Sequence, residues 1–202
     1  MTIKELDEKL NSMEFQETDN DLFYNYYMYQ YPAAKEYDIR KQILDFKADL
    51  LRPNNYVDVL TLDLFKEFCS YLDSTPFMRN PSLLNYLLKK EKERPEKADN
   101  VESTLSRYAH SRGFLEYIHN RILEHKAIND GKKRPFVFLY GVGSIFPYLR
   151  VNEFLALYED FNKTNLYKII VFYPGNRDNN SYRLFHLIHD KNTYRATLLI
   201  NE

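Results

Sequence analysis

Pro135-Phe136-Val137-Phe138-Leu139-Tyr140-Gly141-Val142-Gly143-Ser144 opens a stretch, Arg134 to Gly175, whose reading decides the fold. The first six residues are a short apolar run rich in β-branched and aromatic side chains, and a glycine turn follows. From Val151 to Phe161 the apolar residues Val151, Phe154, Leu155, Leu157, Tyr158 and Phe161 recur at the spacing of a helix with one buried face. Tyr167-Lys168-Ile169-Ile170-Val171-Phe172-Tyr173 is a second apolar run, closed by Pro174-Gly175. Two runs that do not alternate, joined through a helix, predict parallel strands buried on both faces: a βαβ unit.

Working outward, Leu22 to Tyr31 reads as a tyrosine-rich strand ended by Pro32, and Glu36 to Arg52 as a helix. Tyr56 to Leu62 is a strand with Asp63 at its carboxyl end, placed to cap the helix Leu64–Leu72. Ser74–Lys133 reads as a helical excursion within the sheet, with a single long helix from Val101 to His125 as its latter half. Beyond Gly175, Asn176–Asn180 reads as a polar loop, Ser181–Ile188 as a short helix and Tyr194–Ile200 as the last strand. The expected fold is a single α/β domain over residues 1–202. Its core is a mainly parallel five-stranded sheet with helices on both faces and the excursion 74–133 between strands.

Composition narrows the function. With 202 residues, 44% hydrophobic and 28% charged, the chain suits one globular core. A net charge of −1 supplies no global field for nucleic acid, so such contact needs a local patch: Arg177, Arg183 and Arg195, or Lys132-Lys133-Arg134. The charges from Lys89 to Lys97 alternate in sign, which reads either as a basic platform or as a solvated helix face with paired charges. The single cysteine, Cys69, forms no internal disulfide and fits a buried apolar role. No start resembling a signal peptide and no span-length apolar run appear, so a cytoplasmic protein without membrane contact is expected.

Ligands of open α/β sheets settle at the carboxyl ends of the strands. The candidates there are Asp63, the turn Gly141, Gly143 and Ser144 with Pro147 and Arg150 behind it, and Pro174, Gly175 and Arg183. A phosphate loop would need a lysine after the glycines, and a dinucleotide fingerprint would need glycine where Phe146 stands. A degenerate nucleotide-binding domain and a plain tight turn both remain open readings of these glycines. His110, His119, His125, His186 and His189 are scattered; His186 and His189 lie three apart without an evident third metal ligand. No nucleophile elbow is present, and Glu153 and Glu159 do not converge as an acid–base pair. No catalytic residue, cofactor or metal is expected.

Tyr140-Gly141-Val142-Gly143-Ser144-Ile145-Phe146-Pro147-Tyr148-Leu149-Arg150-Val151 resembles the signature of the BrxB family. So do Val171-Phe172-Tyr173-Pro174-Gly175, Tyr182-Arg183-Leu184-Phe185 and Tyr194-Arg195-Ala196. Tyr31-Pro32, Glu36, Arg40 and Leu62-Asp63-Leu64 fit the family's N-terminal block. The resemblance implies a component of BREX, a bacterial anti-phage defence system, encoded beside a phosphatase-like protein (PglZ), a DNA methyltransferase (PglX) and a large ATPase (BrxC). It assigns no catalytic activity. With an intact-looking α/β core, no complete active site and an excess of tyrosine (18 residues), a residue favoured at interfaces, the expectation is a non-enzymatic assembly or adaptor protein that binds another BREX protein, the PglZ-like one first, with nucleic acid reached only through the assembly.

Overall fold

The computed structural model describes residues 2–11, 26–50, 57–128, 135–162, 166–178, 181–185, 187–189 and 197–198. Strand β1 is Tyr26–Tyr31, β2 Val59–Asp63, β3 Phe136–Tyr140 and β4 Lys168–Asp178. β5 is Ser181–Leu184, β6 Ile188–His189 and β7 Thr197–Leu198. The helices are α1 Ile3–Asn11, α2 Glu36–Leu50, α3 Leu64–Ser74, α4 Leu83–Glu93, α5 Ala98–Ala109, α6 Arg112–Ile128, α7 Val142–Ile145 and α8 Val151–Tyr158.

Five strands run parallel in the order β2-β3-β4-β1-β7. Phe136 to Leu139 pair with Lys168 to Val171 in register, so the two apolar runs of the central unit lie side by side and point the same way. Parallel neighbours need crossovers, and right-handed crossovers set which face each helix covers. From β1 the chain passes across the sheet to β2 through α2, then steps back through β3 to β4, so its helices switch faces. Tyr27, Tyr29, Tyr31, Val59, Phe138 and Phe172 meet α1 and α2 on one face. Tyr26, Met28, Leu62, Val137 and Val171 meet the excursion, α7 and α8 on the other. The alternation along β1 is therefore aromatic on both sides. The Phe172 ring sits 5.0 Å from Tyr29 and 5.3 Å from Phe138, all three at buried positions.

Three expectations change. Ser181–Leu184 is a strand, not a helix, and Asn176–Asp178 belongs to β4 rather than to a loop; the two strands pair antiparallel. Tyr182 and Leu184 are buried while Arg183 between them is not, a period of two that short apolar spacing had disguised as a helix. The long helix from Val101 to His125 is two helices, broken at His110-Ser111. There the Ser111 hydroxyl accepts from the Phe114 amide at 3.3 Å and starts α6 as a cap. The first four residues of the expected strand Leu22–Tyr31 and most of the expected strand Tyr194–Ile200 lie outside the described residues.

Tyrosine is core material here. Eight of the described tyrosines are buried, all in or against the sheet and α8. Among the described residues, no helix is long and apolar enough to cross a membrane.

Candidate functional site

At their carboxyl ends the strands come into register as Asp63 beside Tyr140 and Tyr31 beside Pro174. Asp63 is both the last residue of β2 and the cap of α3; its Oδ1 accepts from the Lys66 amide at 3.3 Å. Its Oδ2 lies 3.3 Å from Arg40 Nη1 and 4.0 Å from Lys66 Nζ. Arg40 reaches this edge from α2, whose Ile39, Ile43 and Phe46 hold the helix against the sheet. Its Nε donates to Glu36 Oε1 at 2.7 Å, one helical turn earlier, and its Nη2 donates to Ser144 Oγ at 2.7 Å. The Tyr31 hydroxyl donates to the other Glu36 oxygen. The guanidinium also lies 6.0 Å from the Tyr140 ring centroid.

One arginine thus ties together α2, β2 and the glycine turn after β3, while Tyr31 links β1 to the same tie. Burial opposes the Arg40 charge, but the hydrogen bond and charge of Glu36, with the neighbouring Asp63 carboxylate and Tyr31, raise its pKa on balance. The phenol of Tyr31 is pushed up by burial and then by the neighbouring carboxylate, so it stays a donor.

The predicted positions divide into three groups. Asp63, Gly141 and Ser144 meet around Arg40. Gly141 has φ 71°, and a β-carbon there would stand 2.4 Å from Asp63 Oδ1, so glycine is required both by the backbone and by the carboxylate. A β-carbon on Gly143 would meet Phe185 Cζ at 2.4 Å and Pro174 Cγ at 3.4 Å. Both turn glycines thus face the protein's own side chains at close quarters. Gly175 faces the Arg183 carbonyl oxygen, 2.0 Å from where a β-carbon would lie, and the Phe185 amide donates to the Pro174 carbonyl at 2.8 Å.

Pro147 and Arg150 belong to a separate neighbourhood. Pro147 follows a cis peptide bond. The Arg150 amide donates to Glu153 Oε2 at 3.1 Å, and its guanidinium sits 5.8 Å from the Phe146 ring centroid. Glu153 Oε2 is also 3.2 Å from His110 Nε2. These contacts start α8 and fasten it to the end of α5.

Glu36 and Arg40 appear in the sequence only as positions fitting a family block; their spacing of four signals a helical pair, and nothing local signals Asp63 or Ser144 as further partners. Cys69 is half-buried, and burial raises its thiol pKa, with Asp63 adding to the shift. The three described histidine side chains lie apart. His125 Nε2 is 2.7 Å from Asp58, and His119 Nδ1 is 2.9 Å from the Tyr167 hydroxyl, which contacts the Tyr158 hydroxyl at 2.8 Å. Burial lowers the His119 pKa and pushes the Tyr167 phenol up to about 12, keeping this network uncharged. No cluster of metal-ligating side chains occurs among the described residues. Of the basic patches, Lys132-Lys133-Arg134 and Arg195 lie outside them, as does His186.

Comparison with known proteins gives one consistent result. The sequence profile of the family described as BREX protein BrxB matches residues 61–199. A BREX protein BrxB from Bacillus cereus (strain H3081.97) is 23% identical over 183 residues, covering 88% of this chain and 84% of the relative. No solved structure matches.

Proposed function

This chain belongs to the BrxB family of BREX proteins, and from that premise we propose that it is a non-enzymatic assembly factor of the phage-defence system, binding another BREX protein. The PglZ-like, phosphatase-related protein is the partner we name first, and the cytoplasm the compartment. The observation that supports the reading is the carboxyl edge of the sheet. The place where an α/β protein would hold a substrate is filled by its own side chains, with Arg40 committed to Glu36, Asp63 and Ser144. That edge works as a brace for the motif loops, which turns their conformation into something a partner can recognise.

The tyrosine excess supports the core more than an interface, since so many of the rings are buried. Tyr37 on α2 and Leu187 beside β6, each 81% exposed, are better contact candidates. Co-purification of the tagged chain with the co-expressed BREX proteins tests the reading. Retention of the PglZ-like protein is the expected result. Elution apart from every BREX protein, in cells whose phage resistance still depends on this chain, would sink it.

A further inference from the structure

Three of the basic residues from Lys89 onward come to line one cleft once α4 and α5 pack. Between these helices lies a cleft of about 300 Å³ with a floor of Phe77, Tyr86, Leu87 and Val101. Lys90 lines it from α4, four positions beyond Tyr86, Arg94 from the residue that ends that helix, and Lys97 from the turn before α5. No carboxylate lines it. Of the acids in the same segment, Glu93 pairs with Lys89 at 3.7 Å, and Glu102 and Glu91 sit close enough to Tyr148 to raise its phenol pKa beyond the effect of burial. Among the described residues, none of the three cleft cations has a carboxylate within ion-pair distance, and Arg94 and Lys97 are exposed.

An apolar floor rimmed by three such cations calls for an anionic occupant with an apolar side chain. The floor rings decide between the two classes of macromolecule that fit. A nucleic-acid base needs an open ring face to stack on. Tyr86 is already engaged by Phe77, 4.9 Å between centroids, and by Lys90 Nζ, 5.6 Å from its ring. Carboxylates need no ring face. We propose that the α4–α5 cleft receives an acidic segment of a partner protein, its carboxylates held by Lys90, Arg94 and Lys97 and an apolar side chain seated beside Phe77 and Tyr86. The proposal rests on the reading of the chain as an assembly factor and names the surface that reading requires.

The test uses the full chain, a labelled short peptide of acidic residues interspersed with leucine, and a labelled oligothymidylate of similar length. Fluorescence anisotropy is read for the wild type, the Lys90→Glu/Arg94→Glu/Lys97→Glu variant, the matching triple Gln variant and the exposed control Lys41→Glu. Circular dichroism confirms that each is folded. The expected result is peptide binding that weakens as salt rises. It should weaken about tenfold or more in the charge-reversed variant, less in the Gln variant and not in the control. Equal peptide binding by wild type and charge-reversed chain, no peptide binding, or preferred binding of the oligothymidylate would overturn the proposal. Co-purification of the same variant with the BREX proteins separates the two readings. A partner lost with the three charges supports the cleft. A partner retained without them overturns the cleft and leaves the assembly reading standing, whereas a wild type that retains no partner overturns both.

Discussion

Asp63 holds two jobs in one carboxylate. As a cap it satisfies an orphan amide at the start of α3, and as a charge it faces Arg40 with only 5% of its side chain exposed. The cap was legible in the sequence, because strand end and helix start are adjacent along the chain. The ion pair was not: Arg40 lies 23 positions away, and its other partner Ser144 lies 104 from that arginine. The two jobs separate experimentally. Asn is as good a cap as Asp, so Asp63→Asn removes the charge and spares the cap. A double-mutant cycle of Asp63→Asn with Arg40→Gln, read from urea unfolding, is expected to give a coupling of about 1 kcal/mol. Strict additivity of the two changes would show that the pair is incidental to stability.

At the scale of elements, the β4–β5 hairpin is where local pattern misled. Tyr182, Leu184, Phe185 and Ile188 fit a helical stripe, but only two residues, Asn179 and Asn180, separate β5 from the end of β4. Such a short connection favours antiparallel strands. Pairing β5 with β4 then buries Tyr182 against Tyr173, their centroids 5.6 Å apart. At Gly175 the Arg183 carbonyl of the paired strand leaves no room for a β-carbon. Gly175→Ala would drive a β-carbon toward the Arg183 carbonyl, which is main chain and has little freedom to yield. A loss of about 1–3 kcal/mol is expected, with faster amide exchange at Tyr182 to Leu184. Gly143→Ala presses only on the far end of the Phe185 ring, and a smaller loss is expected there. Equal losses for the two variants, with exchange unchanged, would contradict this account of the hairpin.

Over the whole molecule, the helical excursion and the sheet share one core. Leu83, Leu87, Phe114 and Ile118 pack in the same cluster as Val137, Ile169 and Val171. A chain joined this way is expected to unfold as one unit. Urea transitions followed by far-ultraviolet circular dichroism and by tyrosine fluorescence should coincide, the sequence containing no tryptophan. Two separated midpoints would make the excursion an independent domain. The sequence by itself determined the five parallel strands, most of the helices between them and the cap at Asp63. Those depend on periodicity, turn residues and neighbours a few positions apart. Only the tertiary structure decided that β1 lies between β4 and β7, that Arg40 spans three elements, and that Lys90, Arg94 and Lys97 line one cleft. The physical reason is common to all three. Each depends on which faces of distant segments are pressed together by burial of apolar surface, and a linear pattern carries the faces but not their pairing.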